Sequence, residues 1–205
     1  MVAVPRDRWI SPEEYLEWEG RAETKSEYFD GVIVAMAGTS AAHNTIAFNV
    51  GGVLHAQLRG GPCRGLTSDQ RVRISAGNSY VYPDVVIVCG EPRFEIVKGL
   101  ESLLNPTVVI EVLSDSTERR DRVVKFDGYR TIESLQSVLF VAQDRPRVEC
   151  YTRERNSWRY DAATRKDASI AIAPISSTLA LAEVYDNIEF PAPELELVPD
   201  PEPGR

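Results

Sequence analysis

Two carboxylates stand where apolar strands seldom carry them. Asp84 opens the run Val85-Val86-Ile87-Val88, and Glu111 lies inside Thr107-Val108-Val109-Ile110-Glu111-Val112-Leu113. Both runs are β-branched and apolar, the pattern of a buried strand. A carboxylate within such a strand is costly unless it is paired, hydrogen-bonded or bound to a cation. Two of them on neighbouring strands suit a hard cation such as Mg²⁺. Backbone N–H groups or an arginine would satisfy strand-end acids equally well, and buried acids mark sites only probabilistically.

A third element bears on the same chemistry. Asp121, Lys125 and Tyr129 are spaced i, i+4, i+8 and share one face of a helix expected from about Ser116 to Ile132, with Thr117 one step earlier on the stripe. That helix leaves Glu111's strand after a short loop, from which Lys125 could reach the region of both acids. The plain alternative is an exposed Asp121–Lys125 ion pair of about 0.2–0.5 kcal/mol.

The elements that must position these groups follow from local signals. Ser11-Pro12-Glu13-Glu14 starts a short helix with a capping box and ends it at Gly20. Residues 25–37 form a hairpin about Asp30-Gly31, with Glu27 before its first apolar pair. Ile46, Val50, Val53, Leu54 and Leu58 recur at helical spacing from Ser40 onward, with His43 in the first turn and Gly51-Gly52 allowing close packing mid-helix. Cys63–Ile74 holds two strands or one bent strand, Tyr82–Cys89 is a strand, and 90–106 is a loop or partly helical link. Ser137–Gln143 is a strand, followed by a polar-faced hairpin around Asn156. Short strands at Ala168–Ile172 and Ser177–Leu179 and a helical turn at Ala180–Tyr185 complete the domain. We expect one domain over 1–190 and a Pro- and acid-rich, disordered tail over 191–205.

Composition sets outer bounds. The chain has 205 residues, 43% hydrophobic and 26% charged, with a net charge of -8. That charge argues against a broad basic nucleic-acid footprint while leaving room for a local basic groove. Cys63, Cys89 and Cys150 are odd in number and widely separated, which reads as reduced thiols in a cytoplasmic protein, with Cys89 in the core. The opening residues 1–7 lack a long apolar stretch, so neither a signal peptide nor a membrane span is expected.

The ordered series of these features resembles a known family. Pro83-Asp84 before an apolar strand, then a strand with an internal Glu111, is similar to the PD-(D/E)XK nuclease superfamily. Ser11-Pro12-Glu13-Glu14-Tyr15-Leu16, Glu27-Tyr28-Phe29-Asp30-Gly31, Met36, His43, Tyr82–Val88 and Val109–Thr117 with Asp121, Lys125 and Tyr129 resemble the bacterial restriction-endonuclease-type family often called Uma-two. The position two after Glu111 is Leu113, where the superfamily motif calls for lysine. In this family's pattern the following helix supplies that lysine, here Lys125.

The resemblance implies an α/β fold of restriction-endonuclease-like class, a mixed central sheet flanked by helices with additional hairpins. It implies Mg²⁺- or Mn²⁺-dependent hydrolysis of phosphodiester bonds in DNA by a homodimer. Asp84, Glu111 and the Val112 backbone carbonyl would hold the metal, and Lys125 would position or activate water or offset phosphate charge. Glu27 matches the superfamily's upstream acid, His43 is a candidate substrate contact, Asp121 would orient Lys125, and Tyr129 and Gln70 are further accessory candidates. Arg71, Arg73, Arg119, Arg120 and Arg122 are candidate phosphate contacts. The competing expectation keeps the fold but makes it a catalytically silent binding or self-association module.

Overall fold

The computed structural model describes residues 8–36, 38–76, 78–114 and 117–190. The expected tail over 191–205 and the expected helix start at Ser116 lie outside them.

Fourteen strands among the described residues form two six-stranded sheets and one two-stranded hairpin. The first sheet has the order β2-β1-β5-β4-β8-β7 and the second β12-β11-β10-β9-β6-β3. Strands β1 (Ser26–Phe29) and β2 (Val32–Ala35) are the expected hairpin, closed by Asp30 and Gly31, both at positive φ (38° and 97°). That is the backbone an Asp-Gly type I′ turn supplies. The 63–74 segment splits into β3 (Cys63–Thr67) and β4 (Val72–Ile74), which belong to different sheets. The expected Tyr82–Cys89 strand begins later, as β6 (Val85–Cys89) of the second sheet, and a separate strand β5 (Ser79–Val81) precedes it in the first. Tyr82-Pro83-Asp84 makes the crossing, where a proline without an N–H suits an interruption of the ladder.

The segment 90–106 is a hairpin rather than a loose link. Its strands are β7 (Phe94–Val97) and β8 (Leu100–Leu103), joined through Lys98 and Gly99 at positive φ. In the second sheet β9 (Val108–Leu113) runs parallel to β10 (Ser137–Ala142) and antiparallel to β6, so that sheet is mixed as expected. Beyond β10, β11 (Val148–Glu154) and β12 (Ser157–Ala163) extend it as an antiparallel hairpin. The small hairpin is β13 (Ser169–Ile172) with β14 (Ser177–Ala180).

Alternation along the second sheet separates two cores. Val85, Ile87, Val108, Ile110 and Val112 face one side, where α2 (Ala41–Leu58) and the last hairpin cover them. Val86, Val88, Val109 and Leu113 face the other, together with Tyr129. By the same two-residue period Asp84 and Glu111 belong to this second face. Helix α1 (Pro12–Glu19) carries the expected reciprocal capping box of Ser11 and Glu14 and packs Tyr15 against Tyr28 of the first sheet.

The helix after Glu111 departs from simple α geometry. Arg120–Lys125 is a π-helical segment that continues into α3 (Phe126–Tyr129), with the Phe126 N–H reaching back to the Asp121 carbonyl. Wider π turns inside helices occur frequently at functional sites.

Two sequence expectations are corrected by packing. Cys63 and Cys89 are register partners at the end of β3 and β6 remote from Asp84, and they form a disulfide, so only Cys150 remains a buried free thiol. Gly51 and Gly52 support no close packing within the chain, since a Cβ built on either meets no atom within 4 Å. Each glycine costs a helix interior about 1 kcal/mol relative to alanine. Gly51→Ala and Gly52→Ala are therefore each expected to stabilise the fold by about that amount, read as a raised midpoint in urea. A lowered midpoint would show that the space is needed for folding.

Candidate active site

The β6–β9 ladder pairs Val85 with Ile110, and its next antiparallel step sets Asp84 opposite Glu111. The Val112 backbone N–H donates to Asp84 Oδ2 at 2.7 Å, which fixes that carboxylate across the strand pair. The acids thus face one another because the register demands it. Glu111 is 3% exposed and would be costly there without partners.

Those partners come from the π segment and α3. Lys125 Nζ lies 3.2 Å from Glu111 Oε1, 2.7 Å from Glu27 Oε1 and 3.1 Å from Asp121 Oδ1. The Asp121 contact is an ion pair without hydrogen-bond geometry, and Asp121 Oδ1 is a buried atom with no hydrogen-bond partner. The Tyr129 hydroxyl donates to Glu111 Oε1 at 2.5 Å. Glu27 is anchored from a different sheet element, accepting from the Tyr82 N–H at 3.2 Å. So the i, i+4, i+8 stripe does reach the acids, and the exposed-ion-pair alternative does not describe it. Asp121 and Lys125 are both buried.

His43 approaches from α2. Ser40 caps that helix by accepting from the His43 N–H, and His43 Nε2 lies 3.4 Å from Asp84 Oδ2. Burial opposes a charged ring, but the Asp84 carboxylate and the Val112 carbonyl outweigh it and raise the His43 pKa above its ordinary value. Burial pushes Glu111 well above the carboxylate range, aided by Asp121, Asp84 and Glu27 and opposed by Lys125. Burial alone would lower Lys125, yet Glu111, Glu27 and Asp121 hold it well above its ordinary value. Tyr129 is likewise raised by burial and by Glu111.

All of these groups except the fully buried Tyr129 line one cleft of about 420 Å³. Glu27, Asp84, Glu111 and Asp121 face Lys125, His43 and Arg120 in it, so carboxylates outnumber cationic groups by one. That excess is a physical reason for a further cation. Among the described residues no group of three or more His, Cys, Asp or Glu side chains is arranged to hold a metal by itself. A hard ion with two carboxylates, one carbonyl and water or substrate oxygens for the rest is how Mg²⁺ is commonly bound. The residues present fit that group: Asp84, Glu111 and the Val112 carbonyl would hold it.

Other expected groups lie elsewhere. Gln70 turns its amide to the neighbouring Arg71 carbonyl. Arg71 is 2% exposed and bonds Ser102 Oγ and Tyr82 Oη, so it is a structural cation rather than a phosphate contact. Arg73 pairs with Glu95. Arg120 does line the cleft. Residue-by-residue reading missed Gln143, whose side chain accepts from Ser40 Oγ at 3.0 Å on the same wall. It also missed the buried Glu19, which accepts from Tyr82 Oη at 2.9 Å and supports the segment that carries Asp84. Neither has a sequence signal of its own, because both depend on distant elements.

Arg122 fastens the π-helical segment to the sheet. Its guanidinium donates to Glu118 at 2.7 Å and forms an ion pair with Glu149 of β11 at 2.5 Å. Burial would raise the Glu149 pKa, but Arg147, Tyr160 and Arg122 outweigh it and lower it. A depressed carboxylate stabilises the fold above its unfolded pKa, and that contribution is lost as pH falls through the folded value. Glu149→Gln is expected to cost about 1–3 kcal/mol at neutral pH, with the gap to wild type closing on acidification. Urea titrations from neutral to acid pH check it, and a pH-independent gap would contradict the assignment.

Comparison with known proteins gives a consistent picture. The profile of the Uma2 family, described as "Putative restriction endonuclease", matches residues 12–182. The chain is 37% identical over 153 residues to the uncharacterized protein sll1609 of Synechocystis sp., covering 75% of this chain and 86% of that one. It is 35% identical over 185 residues to the uncharacterized protein slr1290 of the same organism, covering 88% and 94%. A crystal structure from Anabaena variabilis titled as a "putative nuclease belonging to DUF820" superposes with a TM-score of 0.67 at 18% identity, covering 85% of this chain and 97% of that one. At that identity the likeness concerns the fold.

Proposed function

The chain belongs to the Uma2 family of restriction-endonuclease type, and from that premise we propose that it is a metal-dependent nuclease hydrolysing phosphodiester bonds in DNA. The observation that carries the reading is the convergence of Asp84, Glu111 and Lys125, from two strands and a π-helical turn, in one cleft.

Mg²⁺ or Mn²⁺, when bound, would polarise the phosphodiester and acidify a water. The protein's own groups do the rest. Asp84 and Glu111 would provide hard oxygen ligands to that ion. Tyr129 and Lys125 occupy Glu111 Oε1, which orients the carboxylate toward the cleft with its other oxygen. Lys125, kept as an ammonium by its acids, offsets charge that builds on the phosphate and orients the attacking water. Asp121 and Glu27 hold the ammonium in place. Arg120, at the cleft wall, supplies a phosphate contact. A homodimer would present two such clefts to the two strands of a duplex. No helix among the described residues is long and apolar enough to cross a membrane.

The net charge of -8 favours a second reading, a nuclease fold kept as a catalytically silent binding module. Plasmid, linear and branched DNA incubated with Mg²⁺, Mn²⁺ or EDTA discriminate the two. Metal-dependent cutting by wild type, lost in Asp84→Ala, is the expected result. Cutting that survives Asp84→Ala would remove this site from the chemistry. Absence of cutting together with absence of metal binding by calorimetry would favour the silent module.

A further inference from the structure

We propose that a groove on the far side of Asp84 binds an unstacked nucleobase of the substrate strand, next to the phosphodiester held in the cleft. The proposal rests on the nuclease reading and extends it to a subsite.

The groove runs between α2 and the edge strand β3 and has a volume of about 490 Å³. Asp84 is a lining residue of both it and the catalytic cleft, so the two cavities adjoin at that residue. A polynucleotide whose phosphodiester lies at Asp84 must continue past it, and the groove provides a continuation. Helix α2 shows two faces. Ile46, Val50, Leu54 and Leu58 are buried in the core. Phe48, Gly51 and Gly52 line the groove instead, and Phe48 is 79% exposed.

Two features of that second face go unexplained by folding. A large aromatic is left in solvent, and consecutive glycines weaken the middle of an 18-residue helix although a Cβ on either would meet nothing within 4 Å. A local rule broken without compensation inside the chain points to an occupant outside it. The lining chemistry says which. Val85 and Ile87 give an apolar floor, Asn44 and His55 give polar groups, and the described lining residues include no lysine or arginine. Thr39 donates to Asn44 Oδ1 at 2.8 Å, which leaves the Asn44 amide with donors to offer. A flat, neutral, heteroaromatic ring with hydrogen-bonding edges suits such a surface, whereas a phosphate does not. Base–aromatic stacking is tolerant of base identity, so the groove adds affinity without imposing a sequence.

The test uses oligodeoxynucleotides with a short single-stranded segment between duplex arms, carrying 2-aminopurine at successive positions. Binding is followed by fluorescence in Ca²⁺ and cutting in Mg²⁺ or Mn²⁺. Wild type is expected to quench 2-aminopurine at one position beside the cut. Phe48→Ala and Gly52→Leu, both at solvent-facing positions, should lose that quench and raise KM about tenfold with kcat little changed. Phe48→Trp should keep both. Wild-type cutting with unchanged KM and quench in Phe48→Ala overturns the subsite alone. Loss of dimer in sedimentation with unchanged KM makes the groove a self-association face and also overturns it. Failure of wild type to bind or cut any of these DNAs overturns the nuclease reading and the subsite together.

Discussion

Glu111→Gln is expected to abolish metal-dependent cleavage while making the metal-free protein more stable. Both effects follow from a carboxylate buried at the centre of the sheet beside Asp84, Asp121, Glu27 and a single ammonium, Lys125. Its folded pKa stands well above the usual carboxylate range, chiefly through burial. Below about pH 4.3, the ordinary value for glutamate, folded and unfolded chains both hold the proton and no penalty arises. As pH rises further, the unfolded chain releases the proton first, and stability falls until the folded pKa is passed, by at most about 1.4 kcal/mol per pH unit. Glutamine has no proton to release, and its carbonyl can still accept from Tyr129 and Lys125. The metal-free variant should therefore melt above wild type at neutral pH, and the two should converge in acid. Mg²⁺ should reverse the order, because a ligand bound only by the folded state stabilises it, by about 2.7 kcal/mol at a hundred times its Kd. That gain should be absent from the variant, and cutting should fall at least about a hundredfold. Equal Mg²⁺-induced shifts in Tm for both proteins would remove Glu111 from the metal site.

Lys125→Met acts on the opposite charge. It leaves Glu27, Glu111 and Asp121 buried without the ammonium that now lies within 3.2 Å of each. Breaking a buried ion pair from one side costs about 3–5 kcal/mol. Glu111, already held well above the carboxylate range by burial, loses the ammonium that opposes that shift, so its pKa rises further. Stability tied to raised carboxylates is present in acid and lost as pH rises, and the deficit against wild type should therefore widen from acid to alkaline pH in urea titrations. Cleavage should drop by about two to three orders of magnitude. Lys125→Arg is not a conservative rescue, because a planar guanidinium cannot occupy the position of a compact ammonium among three acids. A methionine variant as stable as wild type and cutting at its rate would show that the Lys125 cluster has no part in the reaction.

The local elements were legible in the sequence wherever the cause was local. The capping box at Ser11, the Asp30-Gly31 turn, the helix from Ser40 and the hairpin about Asn156 depend on a few adjacent residues, and all appear as expected. Asp84, Glu111 and the Asp121–Lys125–Tyr129 stripe could be singled out for a related reason, since charge in an apolar strand and a repeated helical spacing are both visible in one dimension. Only the tertiary structure decided which groups meet. The register of β6 on β9 set Asp84 opposite Glu111, and the π turn aimed Lys125 into the acids. Glu27, placed by the sequence just before the hairpin's first apolar pair, became a buried partner of Lys125 because β1 of the first sheet lies beside the cleft. Arg71, readable as a phosphate contact, was taken inward by Ser102 and Tyr82, and Cys63 met Cys89 only because β3 pairs with β6. Strand pairing and burial join residues far apart in the chain, and a carboxylate or guanidinium has its charge satisfied by whatever that pairing brings within a few ångströms. The residue types determined what chemistry was possible here, and the long-range packing of two sheets around one helix decided which of them could take part.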